Sequence, residues 1–128
     1  MIKREASFTL TFRHWLRANP LFNTTWWEAK QTRTNSISFN CVKEHQLNWL
    51  LACKHGQTNY KVPDDSQGIK PVDGIYSNHT DSIIAIKYPS FFCIIDVDAF
   101  IKERDKGTRK SLTGDTARLI ADRVVYFN

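Results

Sequence analysis

Glu28-Ala29-Lys30 sets a carboxylate and an ammonium two residues apart in a segment that alternates as a strand does. Side chains two apart on a strand share one face, roughly 7 Å from each other. Held in this way, the carboxylate can bind a hard divalent cation through oxygen. The lysine can orient or deprotonate an attacking water, or stabilise charge growing on a phosphate. Glu-x-Lys is also the ordinary exposed ion pair of a strand, so its meaning depends on what joins it. Glu5 shares a helical face with Phe12 and lies near that of Phe8, which puts a carboxylate at the end of a core-facing stripe. It also suits a plain acid at a helix start. Asp73 opens a hydrophobic strand after Pro71 and can join Glu28 around one metal, or serve as a turn aspartate before Gly74. Gln46 falls on the apolar stripe of Val42, Leu50 and Cys53. An inward amide must find a partner. An active-site water, a phosphate, a lysine or nearby backbone would serve.

These residues need elements to carry them. Residues 3–18 read as a helix, with Phe8, Phe12, Trp15 and Leu16 on one side, ended by Asn19-Pro20. Residues 24–32 read as a strand, and 36–41 as a second strand pairing back on it as a hairpin. Residues 42–54 read as a helix closed by Gly56. A short strand at 60–62 stops at Pro63, and 64–71 is a polar loop. Residues 72–77 and 82–88 read as a strand pair around Ser77-Asn78-His79. Residues 91–97 contain the run Phe91-Phe92-Cys93-Ile94-Ile95, apolar on both faces as in a central strand. A basic stretch, 102–110, precedes a last helix over about 113–126, with Thr113 as its N-cap. Helices at both ends and in the middle of these strands predict an α/β domain with a mixed sheet flanked by helices.

The chain has 128 residues, one domain's worth, and 41% hydrophobic residues suffice for a single core. A net charge of +5 suits a polyanionic partner, although many small soluble proteins are mildly basic. Cys41, Cys53 and Cys93 are odd in number, scattered and set among apolar residues. That predicts buried free thiols in a reducing cytosol rather than a disulfide framework. No CxxC or CxxxH pair is present to start a zinc site. No apolar stretch approaches a membrane span, so a soluble cytoplasmic protein is expected.

The segment WWEAKQTRTNSISFNCVKEHQLNWLLACKHG, residues 26–56, resembles the RecU-like Holliday junction resolvases and related phage nucleases. In those proteins an E-A-K or E-L-K strand precedes a basic hairpin, a strand and a helix that begins with an H-Q element, here His45-Gln46. DVDAFIKERDKGTRKSLT, residues 96–113, resembles the same family's acidic-aromatic helix start and R-K-S motif, here Arg109-Lys110-Ser111. The resemblance spans most of Trp26 to Thr113 and implies a restriction-endonuclease-like PD-(D/E)xK core. In the family the metal-binding Asp comes before the Glu-x-Lys strand, whereas no Asp precedes Glu28. The resemblance thus implies a rearranged order in which the strand of Asp73 docks beside that of Glu28, with Asp64 the alternative acid.

On this reading Glu28, Asp73 and the Ala29 carbonyl hold Mg²⁺ or Mn²⁺, and Glu5 completes the site. Lys30 positions the water, and Gln46 supports the lysine or the scissile phosphate. Arg33, Lys102, Arg104, Lys106, Arg109 and Lys110 are the candidate DNA contacts, reaching phosphates without reading sequence. A junction resolvase must cut two strands related by a two-fold axis, which predicts a C2 homodimer. The exposed aromatics and the run Phe91–Ile95 are candidates for its face. Other nucleases with the same active site, a non-catalytic DNA-binding relative and a protein-interaction domain stand as alternatives.

Overall fold

The structure, a computed structural model, describes residues 2–19, 25–61, 74–78 and 80–127. The side chains of 2–6, 57–61 and 74–78 lie outside that description. In chain order the elements are α1 (Ile2–Ala18), β1 (Trp26–Gln31), β2 (Ser36–Ser38), a 3₁₀ turn (Phe39–Cys41) and α2 (Glu44–His55). There follow β3 (Gln57–Lys61), β4 (Gly74–Asn78), β5 (Ser82–Lys87), β6 (Phe91–Asp96) and α3 (Val97–Asp105). The chain ends with β7 (Ser111–Thr113), α4 (Gly114–Ile120) and β8 (Arg123–Tyr126).

The main sheet has the order β1-β5-β6-β8. β1 and β5 run parallel, with Glu28 opposite Ile84; β5–β6 and β6–β8 are antiparallel. This is the mixed sheet expected, with helices on both faces. β5 and β6 sit at its centre because Ser82–Ile86 and Phe91–Ile95 are buried on both sides, and only a strand with two neighbours hides every backbone group as well. Their alternate residues divide between two cores. Ile83, Ala85, Phe92 and Ile94 meet Phe8, Phe12 and Leu16 of α1 on one face. Ile84, Ile86, Cys93 and Ile95 meet Leu47 and Leu50 of α2, Phe100 of α3 and Ala117 of α4 on the other. Tyr88-Pro89-Ser90-Phe91 turns β5 into β6, with the Tyr88 amide donating to the Phe91 carbonyl at 2.8 Å. Pro89 presets the turn's second position.

Several pairings differ from the sequence expectation. Residues 36–41 do not fold back on β1. β2 pairs antiparallel with β7, and the turn before it is closed by the Thr32 and Thr34 hydroxyls, each donating to the Ser36 carbonyl at 2.9 Å. The vacated flank of β1 goes to β5, whose wholly apolar run needs a neighbour on each side. The strands expected at 72–77 and 82–88 do not pair with each other. β4 pairs with β3, which starts at Gln57, in a peripheral hairpin of polar strands. The final helix stops at Ile120, and the β-branched pair Val124-Val125 enters β8 beside β6. The basic stretch begins inside α3. The run Phe91–Ile95 offers no dimer face, being buried between β5 and β8. Among the described residues the exposed large apolar side chains are Leu10, Leu119, Tyr126 and Phe127. Cys53 and Cys93 are buried free thiols, while Cys41 is half-buried. Among the described residues no helix is long and apolar enough to cross a membrane.

Candidate active site

β1 is an outer strand of the main sheet, and its two faces do different work. Trp27 and Ala29 turn towards α1 and pack in its core. Trp26, Glu28 and Lys30 therefore point to the opposite face, where α2 lies. Trp26 meets Trp49 of α2 edge to face, with ring centroids 5.6 Å apart.

Glu28 and Gln46 meet across this β1–α2 seam. The Gln46 side-chain amide donates to Glu28 Oε1 at 3.0 Å. Lys30 Nζ stands 3.5 Å from the same oxygen. Both contacts fall on Oε1, and among the described residues Oε2 has no partner. Gln46 is held from its other end, because its Oε1 accepts the Lys43 amide at 2.9 Å. That bond satisfies an orphan donor at the start of α2 and fixes the rotamer presented to Glu28. The inward glutamine thus finds both a carboxylate and backbone. Lys30 and Glu28 side chains are 15% and 29% exposed, so their attraction is less screened than on an open surface.

The backbone of β1 adds a further oxygen. The Trp26 amide donates to the Asp81 carbonyl and the Thr32 amide to the Lys87 carbonyl. Along a parallel ladder the peptide groups of alternate residues point the same way. The even-numbered residues of β1 therefore bond to β5, and the Trp27, Ala29 and Gln31 peptides face the outer edge. Among the described residues no strand pairs with that edge. The Ala29 carbonyl and the Glu28 carboxylate are oxygens of the kind a hard cation such as Mg²⁺ takes, commonly with one or two carboxylates and several waters. Among the described residues no group of three or more His, Cys, Asp or Glu is placed to hold a metal ion.

Of the remaining expected ligands, Glu5 belongs to α1, which packs against the face opposite Glu28 and Lys30; its side chain lies outside the described residues. Asp73 and Asp64 lie outside them altogether. The strand after Asp73, β4, pairs with β3 and not with β1. The expected cations divide into two groups. Arg104 pairs with Glu44 at 3.3 Å and with Asp105 at 3.0 Å, and Lys106 with Glu103 at 2.9 Å. Arg33, Lys102, Arg109 and Lys110 are exposed.

A cavity of about 550 Å³ opens beside the Glu28 cluster, lined by Trp26, Trp27, Glu28, His45, Gln46, Trp49 and Leu50. Sequence reasoning did not assign Trp26, Trp49 or His45 a role. The signal was available: Trp26 shares the period-two face of Glu28, and Trp49 lies three residues beyond Gln46 on α2. A second cluster was also missed. Lys54 reaches Asp96 at 2.6 Å and Asp98 at 2.8 Å, and His55 reaches Asp98 at 2.7 Å. Burial alone would lower the Lys54 pKa, but its bonds to Asp96 and Asp98 outweigh burial and raise it. Burial likewise pushes Asp98 up, and Lys54 with His55 brings it below the ordinary 3.8. This cluster joins α2 to the start of α3, where Asp96 Oδ2 accepts the Asp98 amide at 3.0 Å as an N-cap.

No protein-family profile, curated protein or solved structure matches the chain.

Proposed function

We propose that this chain is a metal-dependent DNA endonuclease of the PD-(D/E)xK kind, cutting branched DNA as a Holliday junction resolvase does. The observation that carries the reading is the meeting of Glu28 and Lys30 of β1 with Gln46 of α2, beside a cavity that Glu28 and Gln46 help to line. Glu28 and the Ala29 carbonyl would hold Mg²⁺ or Mn²⁺, with Asp73 and Glu5 as the further candidate ligands. A bound cation of this type supplies a Lewis acid and a water of lowered pKa. Lys30 orients the attacking water and steadies charge on the phosphate. Gln46, clamped by the Lys43 amide, keeps the Glu28 carboxylate in one orientation, as outer groups around metal sites do. Arg33, Lys102, Arg109 and Lys110 neutralise phosphates of the bound strand, whereas Arg104 and Lys106 first satisfy acids of the protein. A C2 homodimer would present two such sites to a junction.

The test is cleavage of a labelled four-way junction, with linear duplex as competitor, by the wild type and by Glu28→Ala, Lys30→Ala and Asp73→Ala. Preference for the junction and loss of cutting in the variants are expected. Retained cutting by all three variants would sink the assignment. One observation favours a second reading, a DNA-binding module without catalysis: Glu28 is the only carboxylate lining the cavity among the described residues. Calorimetric titration with Mg²⁺ separates the two, since only the nuclease takes up the ion.

A further inference from the structure

We infer that the cavity beside Glu28 is a subsite for one unpaired nucleobase of the substrate strand, stacked on the tryptophan rings of β1 and α2. The inference rests on the nuclease reading for its phosphate chemistry but on separate observations for the base. The cavity of about 550 Å³ lies in the range of small-ligand pockets. Among the described residues Trp26 and Trp49 line it with half-buried rings, whereas Trp27 turns its ring to the α1 core and meets the cavity from the strand. Trp26 and Trp49 stand perpendicular, at 89°, so a planar group entering the cavity can lie parallel to one ring while meeting the edge of the other. Every base has a π-face, so such a platform accepts a base without selecting its sequence.

The polar groups of the cavity suit a base as well. Glu28 of β1 and His45 and Gln46 of α2 add acceptors and donors to its lining. By the ladder parity of β1, the Trp27 peptide faces the outer edge, which pairs with no strand among the described residues, and offers both an N–H and a C=O to a base edge. The charge of the chain bears on what the base is attached to. A net charge of +5 favours a polyanion over a free cationic or neutral ligand. In paired duplex the base faces are already stacked, so the subsite takes a base freed at a branch point or in a single strand.

The experiment measures binding without divalent metal, by quenching of tryptophan fluorescence. Two single strands of equal length and phosphate count are compared, one of thymidylate and one abasic. The wild type is expected to bind thymidylate about tenfold more tightly, with the same salt dependence for both strands. Trp49→Ala should bring the two within about twofold of each other while Trp49→Phe keeps the preference, as stacking requires. Equal affinity of the wild type for both strands, which needs no variant to read, overturns the inference. So does an undiminished preference in a folded Trp49→Ala protein. Cleavage scored separately keeps the two ideas apart. If Glu28→Gln cuts as well as the wild type yet the base preference stands, the nuclease reading fails and the subsite survives. If cutting depends on Glu28 and no base preference exists, only the subsite falls.

Discussion

Lys54 shows how much a single side chain can organise in this chain. It bridges Asp96 and Asp98, tying the end of α2 to the cap of α3, and is only 24% exposed. Lys54→Met removes two charged hydrogen bonds and should cost about 1–3 kcal/mol at neutral pH, measured by urea unfolding. The pH dependence follows from the two shifts. Asp98 is depressed, so its contribution is present above 3.8 and is lost as pH falls through the lowered pKa. Lys54 is raised, so its contribution is full below 10.5 and is lost as pH rises through the raised pKa. The gap between wild type and variant should therefore be widest between these limits and narrow beyond both. An unchanged gap from acid to alkali would contradict this. The thiols give a second test. Burial pushes Cys93 up to about 12, the Arg118 charge opposing it weakly, and Cys53 is buried too. A disulfide reagent should modify Cys41 first, with Cys53 and Cys93 protected until the chain unfolds; three equal rates would refute the burial pattern.

At the scale of elements, Gly114 is where β2, the β5–β6 turn and the start of α4 come closest. Its amide donates to the Asn35 carbonyl at 2.8 Å. A Cβ there would sit 2.7 Å from Asn35 Oδ1 and 3.1 Å from Phe91 Cζ. The asparagine can swing away, but the buried Phe91 ring cannot, so Gly114→Ala should destabilise by about 1–3 kcal/mol. A neutral or stabilising effect in thermal unfolding would show that the approach is looser. Elements with a strong pattern were legible in the sequence: Phe8, Phe12 and Leu16 of α1, and the apolar runs Ile83–Ile86 of β5 and Phe91–Ile95 of β6. Glu28, Lys30 and Gln46 were legible for the same reason, since periods of two and 3.6 set which side chains face one another. Partners were not. β2 and β7 have three residues each, too few for a pattern, and their pairing follows from what the main sheet leaves available. β8 was read as helix because Val124 falls on the stripe of Ala117 and Ile120, and only the free flank of β6 makes it a strand. The tryptophans of the cavity share the faces of Glu28 and Gln46, but an aromatic at core spacing looks the same whether it fills a core or lines a pocket, so their position was legible and their use was not.

For the whole molecule, the sheet separates a face sealed by α1 from the face that carries the candidate site. One face is sealed by α1, with Phe12 fully buried among Trp15, Trp27 and Phe92. The other face carries the Glu28 cluster; of the exposed candidate cations, Arg33 lies between β1 and β2, Lys102 in α3, and Arg109 and Lys110 before β7. DNA affinity should fall linearly with the logarithm of salt concentration, each released phosphate contact changing the slope by about 1. Replacing Arg109 and Lys110 together by alanine should reduce the slope by about 2, whereas Arg104→Ala and Lys106→Ala should change it little, since both cations are held by acids. Equal effects from the two sets would mean that the ion pairs open on binding. The central claim is that Glu28 and Lys30 work together on a phosphodiester. Its most direct measurement is the initial rate at which an end-labelled four-way junction is cut in Mg²⁺ by the wild type, Glu28→Gln and Lys30→Ala. The account predicts metal-dependent cutting by the wild type and a fall of about 100-fold or more in each variant, with folding and junction binding retained. Cutting that survives either substitution, or a folded wild type that binds the junction in Mg²⁺ and never cuts it, would contradict it.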